Sequence, residues 1–517
     1  MKIRIENKYL LFPVNVNVSQ KRVCLYEGEK LLFDFRCKID NIAPHFTAYM
    51  DVSPFMGKEV ELQIEPEVEY APRFADSFDL PEFGGELLRP QVHFTVKNGW
   101  NNDPNGLVYA DGVYHMFYQY NPSAPEWQNM HWGHAVSRDL THWEEKDIAL
   151  FPDKLGTMFS GSAFIDKKNS AGFGKDAMLL FYTAAGNNSR LSENQKFTQC
   201  LAYSVDGGKT FAKYEHNPIV AHIEGGNRDP KVVYVEEIDK YVMAIFLAEN
   251  RYELLTSEDL LNWKHFDGIT LPGDAECPDL FSLEYEGRKL WVFMGARDVY
   301  TVGHFERDGF VAESAPKPLT YLKMSYAAQS FSNIRDGRAL RIAWHITRIP
   351  APNFSSQMSF PTEMSLEKHG DEYYLCATPA REIKDLYIGG AICDNISLKD
   401  PYVAKTHARP VHMKLSLPYT EGEKLVLDLF GTPLACDMTN NELRCKNAKM
   451  PLTLKKDRVT LELICDRCSV EIFADNGKFF AAVAAIADYN LPRITVEKNE
   501  KINLDFIEWN ALSSIYE

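Results

Sequence analysis

Residues 114–120, which read YHMFYQY, are the first of five similar runs along the chain. The others read MLLFYTA from Met178, YVMAIFLA from Tyr241, LWVFMGA from Leu290 and LRIAWHI from Leu340, and successive starts lie 64, 63, 49 and 50 residues apart. Runs this apolar fit strands buried on both faces, and such intervals suit a four-stranded antiparallel sheet with its loops. The five copies therefore predict the blades of a five-bladed β-propeller.

A second repeat runs in phase with the first and reads SRDLTHW from Ser137, SVDGGKTF from Ser204 and SEDLLNW from Ser257. Each copy places an Asp-centred turn before an aromatic residue, which is typical of a hairpin because Asp bonds its own backbone. Two in-phase repeats favour radial repetition. The alternative is one large sandwich whose strands resemble each other by composition alone.

Regions with alternating strand patterns flank the repeats, and helical periodicity is scarce. We therefore predict an all-β chain with a small N-terminal β domain at residues 1–85 and the propeller at residues 86–365. A linker at residues 366–379 and a C-terminal β-sandwich at residues 380–517 complete the prediction.

Composition narrows the classes of function. The 517 residues include 56 Lys and Arg against 72 Asp and Glu, a net charge of −16 that disfavours nucleic acid and anionic membranes as partners. We see no apolar run of the ~20 residues that a membrane helix needs. The ten cysteines are dispersed, and Pro13 interrupts the N-terminal apolar run before signal-peptide length. These features predict a cytoplasmic protein.

The repeat also selects candidate catalytic residues. Cleavage of a glycosidic bond needs two carboxyl groups across the scissile bond. Asp103 lies 11 residues before the first run, Asp229 lies 12 before the third, and Glu276 lies 14 before the fourth. Equivalent positions of different blades converge on the central channel of a propeller, so these three carboxylates are expected to meet.

The same residues carry a family resemblance. The segments NGWNNDPNG from Asn98, FYQYNP from Phe117, HWGHAVSRDLTHW from His131, FSGSA from Phe159, RDPKV from Arg228 and ECPDLF from Glu276 occur in order. Together they resemble glycoside hydrolase family 32, the β-fructofuranosidases. CDRCSVEIFADNG from Cys465 is similar to the end of that family's C-terminal sandwich, so the resemblance covers about residues 88–515.

The resemblance implies a five-bladed propeller joined to a β-sandwich, and hydrolysis of terminal β-linked fructofuranosyl units with retention at the anomeric carbon. It implies that Asp103 is the nucleophile, Glu276 the general acid and base, and Asp229 a stabiliser of the transition state. It also implies substrate-binding roles, which fall on Asn102, Gln119, Trp127, Trp132, Phe159, Ser160 and Arg228. No metal or organic cofactor is expected, since two carboxyl groups and water suffice.

Two departures from the family pattern leave the identity of the leaving group undetermined. Asn101 stands where Met is usual, and Thr362 replaces a common Arg. The leading hypothesis is hydrolysis of sucrose or short fructo-oligosaccharides of inulin or levan type. The alternatives are a sucrose-6-phosphate hydrolase, an inverting arabinan-type hydrolase on the same architecture, and a non-catalytic sugar-binding propeller. Residues 1–85 could cover a sheet edge, form a wall of the active-site mouth or support a homo-oligomer. The sandwich domain could also support a homo-oligomer.

Overall fold

The computed structural model describes residues 1–77, 86–322, 324–349, 353–398, 402–406, 409–488, 493–498 and 502–516. Within these ranges the chain is built from β-strands, and its helical structure consists of three short 3-10 segments, Ser53–Phe55, Glu236–Ile238 and Arg381–Leu386. The prediction of an all-β chain is confirmed. No described helix has the length and apolar character required to cross a bilayer.

The N-terminal unit consists of two antiparallel sheets with strand orders β1-β6-β3-β4 and β5-β2-β7. Its strands are β1 (Lys2–Arg4), β2 (Tyr9–Val14), β3 (Lys21–Glu27), β4 (Lys30–Cys37), β5 (Phe46–Asp51), β6 (Glu59–Glu65) and β7 (Arg73–Ala75). Both sheets contribute to one apolar core, in which the ring of Phe12 lies 5.1 Å from those of Phe35 and Tyr70. The predicted boundary at residue 85 lies outside the described residues.

Five sheets, each with a main path of four antiparallel strands, follow in chain order. The first sheet contains β8 (Gly99–Ala110), β9 (Val113–Asn121), β10 (His131–Ser137) and β11 (Glu144–Leu150), and the second contains β12 (Thr157–Asp166), β13 (Ala177–Ala185), β14 (Thr198–Ser204) and β15 (Ala212–Lys213). The third sheet contains β16 (Arg228–Val235), β17 (Lys240–Ala248), β18 (Arg251–Ser257) and β19 (Lys264–Thr270), and the fourth contains β20 (Asp279–Tyr285), β21 (Arg288–Met294), β22 (Val299–Glu306) and β23 (Gly309–Ala312), with β24 (Lys317–Pro318) beside β22. The fifth sheet contains β25 (Ser325–Ser330), β26 (Ala339–His345), β29 (Thr362–His369) and β30 (Glu372–Pro379). Two short strands are added to this set: β27 (Phe354–Ser355) pairs with β8, and β28 (Gln357–Met358) pairs with β26.

The sequence repeats occupy equivalent places in these sheets. Each apolar run lies in the second strand of its sheet, namely β9, β13, β17, β21 and β26. The second repeat begins at the last residue of β10, β14 and β18, where an Asp carboxylate accepts backbone hydrogen bonds across the turn, as Asp139 does from Thr141 and His142. The predicted Asp-centred turns are therefore present.

The first strands of the five sheets contact one another in a closed cycle. β8 contacts β12, β12 contacts β16, β16 contacts β20, β20 contacts β25, and β25 contacts β8 again. Residues at the start of these strands can therefore face one shared central space.

The prediction of a linker at residues 366–379 is wrong. This segment contains the second half of β29 and all of β30, which form a hairpin with Leu366 opposite Leu375. Met364, Leu366, Tyr373 and Leu375 are buried at alternate positions, which is the pattern of a strand with one face on the core. The fifth sheet therefore extends to Pro379, and the 3-10 segment Arg381–Leu386 follows it.

The C-terminal unit consists of two six-stranded sheets with orders β31-β42-β33-β38-β39-β40 and β32-β41-β34-β35-β36-β37. Its strands are β31 (Tyr387–Leu398), β32 (Tyr402–Lys405), β33 (Val411–Pro418), β34 (Lys424–Leu429), β35 (Thr432–Asp437), β36 (Glu442–Cys445), β37 (Ala448–Pro451), β38 (Arg458–Cys465), β39 (Ser469–Ala474), β40 (Phe479–Ala484), β41 (Arg493–Lys498) and β42 (Ile502–Leu512). Leu415 and Leu463 of the first sheet share one buried core with Leu427 and Leu434 of the second, so the two sheets pack face to face.

Candidate active site

The strand pairing is irregular where the first strands of four sheets begin. The register shifts between Asn101 and Pro104 in β8, between Phe159 and Gly161 in β12, between Arg228 and Lys231 in β16, and between Tyr326 and Gln329 in β25. Such bulges bend a strand locally and re-aim side chains, which is why they recur beside functional sites. The family-like motifs in β8, β12 and β16 contain three of these irregularities.

A cavity of about 380 Å³ lies at the start of the first strands. It brings together Asp103, Asp229 and Glu276, as the repeat position predicted. Six of the seven predicted substrate-binding residues also line it, namely Asn102, Gln119, Trp127, Phe159, Ser160 and Arg228. The volume falls within the range of small-molecule sites, roughly 300–1,000 Å³.

Asp103 lies in β8 and is held by three side-chain donors. Ser160 Oγ donates to Asp103 Oδ2 at 2.6 Å, Asn102 Nδ2 donates to Oδ1 at 3.1 Å, and the Cys277 thiol lies 3.5 Å from Oδ2. Burial raises the pKa of Asp103, and the negative charge of Glu276 adds to the effect, while the three donors oppose it. These contacts fix the orientation of the carboxylate.

Asp229 is buried at the start of β16 in a left-handed backbone conformation, with φ of 67°. Its backbone N–H donates to Thr183 Oγ1 at 2.8 Å, and its Oδ2 accepts from the Cys277 N–H at 3.0 Å and from the Cys277 thiol at 3.4 Å. Burial raises the pKa of Asp229 to about 6, although the nearby Arg228 guanidinium acts in the opposite direction. Burial also raises the pKa of the Cys277 thiol, which keeps it protonated as a donor to both aspartates.

Glu276 lies just before β20, and its carboxylate has two fixed partners. Arg228 Nη2 donates to Oε1 at 2.6 Å, and the Tyr326 hydroxyl donates to Oε2. Arg228 also approaches Asp229, with 3.6 Å between Nε and Oδ2, so one guanidinium links two of the acids. Glu276 and Cys277 both have positive φ, 61° and 32°. Strained backbone of this kind is retained where surrounding contacts enforce it, often at functional sites.

Aromatic side chains form two walls of the cavity. On one wall Trp127 is 52% exposed and meets the Phe159 ring edge-on, with 6.0 Å between centroids. On another wall the Trp344 ring lies 6.3 Å from that of Tyr326. Behind it, Trp100 Nε1 donates to Asn102 Oδ1 at 2.8 Å and thereby fixes the amide beside Asp103. A polar floor between aromatic walls is suited to binding a small polyol.

Trp132 does not line this cavity, so that prediction is wrong. Its side chain is fully buried in the core between the first two sheets, and its Nε1 donates to the Phe159 carbonyl at 2.9 Å. The rings of Phe117 and Tyr182 pack against it, at 5.8 Å and 6.3 Å. Trp132 lies in β10, the third strand of its sheet, and supports the Phe159 wall from behind.

Five lining residues were not predicted, namely Asn188, Phe197, Cys277, Tyr326 and Trp344. Two of them had a signal in the sequence. Cys277 stands within the ECP segment, and Tyr326 lies 14 residues before the fifth apolar run, the same offset that Glu276 has from the fourth. Applying the repeat position to tyrosine as well as to acids would have found Tyr326.

A separate cluster has spacing suitable for a metal ion. His93, His345 and Glu471 are buried, and their ligand atoms all lie within 4.8 Å of one another. None of the three lines the cavity that contains Asp103, Asp229 and Glu276. His93 Nδ1 is bonded to Asp466 Oδ2 at 2.8 Å, so the cluster also forms a buried ionic network between the segment before β8 and the C-terminal unit.

The model of the Glycosyl hydrolases family 32 N-terminal domain matches residues 93–379, and that of the Glycosyl hydrolases family 32 C-terminal domain matches residues 421–484. The chain belongs to glycosyl hydrolase family 32. These two matches include the three carboxylates and part of the two six-stranded sheets. The resemblance inferred from the six motifs is thereby confirmed.

Relatives within family 32 are similar over much of the chain. A levanase of Bacillus subtilis (strain 168) is 37% identical over 344 residues, which cover 60% of this chain and 50% of the levanase. An extracellular exo-inulinase of Aspergillus awamori is 32% identical over 361 residues, which cover 59% of this chain and 66% of that protein. The chain thus matches about half the length of the levanase.

Solved family 32 structures share the fold. The crystal structure of exo-inulinase from Aspergillus awamori aligns with a TM-score of 0.74 at 24% identity, covering 85% of this chain and 100% of that one. A beta-fructofuranosidase from Schwanniomyces occidentalis complexed with fructosyl-erythritol aligns with a TM-score of 0.72 at 24% identity and the same coverages. These alignments leave about a seventh of the chain unmatched.

The raised pKa of Asp229 in this family 32 site makes stability depend on pH. Its pKa of about 6 lies above the ordinary value of 3.8, so the folded state binds the proton more tightly than the unfolded state. The contribution of Asp229 to stability should therefore fall as pH rises from 4 to 6. Asp229→Asn should remove this contribution and raise the melting temperature at pH 7. Thermal unfolding at several pH values measures this contribution, and Asp308→Asn, at an exposed position, is the control. Parallel melting-temperature profiles for wild type and Asp229→Asn would contradict the prediction.

Proposed function

We propose that this chain is a retaining glycoside hydrolase that releases terminal β-D-fructofuranosyl units from sucrose or short fructo-oligosaccharides. The observation that carries the proposal is the convergence of Asp103, Asp229 and Glu276 in one cavity of a family 32 chain. Relatives named levanase, exo-inulinase and beta-fructofuranosidase support a fructoside as the substrate. The cavity is large enough for a single furanose ring with its contacts.

The proposed architecture is a five-bladed β-propeller followed by a β-sandwich. The five four-stranded sheets would be the blades, which is supported by the closed cycle of contacts between their first strands. The two six-stranded sheets around a common core would be the sandwich. In such a propeller the catalytic groups lie at one end of the central channel, where loops and strand starts from several blades meet.

The reaction would proceed in two steps. Asp103 Oδ attacks the anomeric carbon while Glu276, carrying a proton, gives it to the leaving oxygen, so the glycosidic bond breaks as the fructosyl-enzyme ester forms. Glu276 then takes a proton from water, whose oxygen attacks the same carbon and displaces Asp103. Two inversions give net retention. Ser160 and Asn102 hold Asp103 for attack, and Arg228 and Tyr326 hold Glu276.

Asp229 would bind ring hydroxyl groups and stabilise positive charge on the ring. Its Oδ2 already accepts from Cys277, so its carboxylate has a fixed direction before substrate enters. Preorganised negative charge of this kind stabilises an oxocarbenium-like transition state, because no reorientation is needed during the reaction. The amides of Asn102 and Gln119 would read the remaining hydroxyls.

Observations within the cavity bear on the alternatives. A phosphorylated leaving group needs a free cation, but Arg228, the cation among the described lining residues, is already engaged by Asp229 and Glu276. This favours neutral fructosides over sucrose 6-phosphate. An inverting arabinan-type reaction shares only the proposed architecture, whereas the family match favours retention. A non-catalytic protein would have no need of all three acids. The cytoplasmic location and a homo-oligomer stay predictions.

A substrate panel tests the proposal. Purified protein is incubated with sucrose, sucrose 6-phosphate, kestose, inulobiose, levan and arabinan, and released sugar is quantified for each. We expect fructose from sucrose and the short fructosides, and early NMR spectra showing the β-anomer of fructose as the first product. Asp103→Asn serves as the inactive control. Absence of fructose from every fructoside, or initial release of the α-anomer, would overturn the proposal.

A further inference from the structure

A second cavity adjoins the catalytic one. It has a volume of about 300 Å³, and Trp127 and Asn188 line both cavities. The N-terminal unit supplies one of its walls through Arg22 on β3 and through Asp34 and Arg36 on β4. Shared wall residues therefore join the catalytic pocket to a space that strands β3 and β4 help to enclose. The N-terminal unit lies outside the residues matched by the family 32 domains.

Polar contacts fasten the N-terminal unit at this position. Asn129 accepts from the Arg36 N–H at 3.0 Å and donates to the Arg36 carbonyl at 2.8 Å. Asp34 Oδ2 accepts from the Arg190 N–H at 2.6 Å. Strand β4 is thus bonded both to the loop after β9 and to the loop after β13, so the wall is held in place rather than resting on the surface.

The lining of this second cavity suits neutral sugar units. Trp127 offers a half-exposed ring at the boundary of the two cavities, and the amides of Gln128 and Asn187 lie beyond it. The described hydrogen bonds of Arg36 are made by its backbone, and its side chain is exposed, which leaves the guanidinium available to donate to hydroxyl groups. An aromatic platform with amide and guanidinium donors is the chemistry that binds polyols.

The charges of this cavity argue against a phosphate site. Arg22 lies 3.3 Å from the Asp34 carboxylate, which is itself buried and lines the same cavity. The acid offsets one of the two guanidinium charges and would repel an anion placed beside it. A neutral ligand meets no such repulsion.

We propose that the N-terminal unit forms a leaving-group subsite that binds the third and later units of a neutral fructo-oligosaccharide. This inference rests on the proposed function and deepens it, because it assigns oligosaccharides rather than sucrose as the preferred substrates. With the terminal fructosyl unit in the catalytic pocket, a disaccharide ends near the shared wall at Trp127. A longer chain continues over Trp127 towards Arg36.

The test compares sucrose with the tetrasaccharide nystose. Arg36→Ala should lower kcat/KM for nystose about tenfold, mainly through KM, because a charged donor to a sugar hydroxyl is lost. It should change kcat/KM for sucrose less than about twofold. Arg36→Lys should recover part of the loss, since it retains a donor. Arg4→Ala, which removes an exposed arginine from the edge strand β1 of the same sheet, is the matched control and should alter neither substrate.

Each outcome has a distinct meaning. Equal losses on sucrose and nystose in Arg36→Ala, or no loss on either, would overturn the subsite while the proposed hydrolase activity stands. A loss confined to sucrose 6-phosphate would replace the sugar subsite by a phosphate site and would also overturn the inference. If wild-type protein released fructose from none of the substrates, the proposed function itself would fail, independently of any Arg36 variant.

Discussion

Asp103→Asn should lower kcat for sucrose by about 10⁴-fold or more without lowering the melting temperature. The amide cannot form the covalent ester, and loss of an essential nucleophile costs several orders of magnitude. Asn has the same shape as Asp, and Ser160 Oγ can still bond to its side-chain oxygen, so the local structure should be retained. Initial rates and thermal unfolding of the purified variant measure both effects.

Glu276→Gln is the informative comparison for Asp103→Asn. Loss of the acid catalyst should lower the rate of sucrose hydrolysis by about 10²- to 10⁴-fold. With a fructoside whose leaving group needs no proton, the rate of the first step should fall far less. Azide should then restore turnover of Glu276→Gln by attacking the fructosyl-enzyme without base catalysis, which yields β-fructosyl azide. Asp103→Asn should show neither behaviour. Azide rescue of Asp103→Asn with inverted product, and not of Glu276→Gln, would reverse the two assignments.

The parts of the fold that the sequence predicted are those with the strongest burial. The second strand of each sheet is enclosed on both faces, so its residues are almost wholly apolar and the five copies are recognisable. Strands β29 and β30 at the outer part of the fifth sheet face the core on one side only. Their weaker alternating pattern places the charged residues Glu367, Lys368 and Glu372 at exposed positions, which is why the sequence predicts a linker there.

The three carboxylates were predictable because they lie at similar offsets, 11, 12 and 14 residues, before their apolar runs and also match the carboxylates of the family motifs. The repeat position identifies a strand start, but it does not report which face of a strand a neighbouring residue occupies. Trp132 therefore could not be separated from Trp127 by sequence, although one is buried between sheets and the other is at the cavity mouth. The left-handed backbone conformations of Asp229 and Glu276 likewise have no signal in the sequence beyond the nearby prolines.

The position of the N-terminal unit could not be predicted from sequence either. Its alternating strand pattern predicted a small β domain, but docking depends on pairs far apart in the chain, such as Asp34 with Arg190 and Arg36 with Asn129. Of the roles left open for residues 1–85, walling the active-site mouth is the one supported by the shared lining residues Trp127 and Asn188.

His93→Gln should destabilise the protein by about 3–5 kcal/mol, because it breaks a fully buried ionic network. His93 Nδ1 lies 2.8 Å from Asp466 Oδ2, and Nε2 lies 3.3 Å from Glu471 Oε1. Asp466 also accepts from the Gln91 and Val92 N–H groups at 2.9 Å, so the network joins the segment before β8 to the C-terminal unit. Hydrogen bonds to these acids outweigh the opposing effect of burial and raise the pKa of His93 to about 9.

The pH dependence separates an ionic role from simple packing. The folded pKa of about 9 lies above the ordinary 6.5, so the stabilisation should be complete below pH 6.5 and lost as pH rises through 9. Urea unfolding of wild type should show that loss, and His93→Gln should not. The exposed His216→Gln should match wild type throughout.

A double-mutant cycle locates the source of the destabilisation. Adding Asp466→Asn to His93→Gln should recover part of the lost free energy of unfolding, because it removes one of the two carboxylates left buried without a cation. Additive losses, or a stability of His93→Gln that runs parallel to wild type from pH 6 to 10, would show that His93 acts as a neutral packing residue. Recovery together with divergent pH profiles would establish that one buried imidazolium holds the C-terminal unit to the entry of the first catalytic strand.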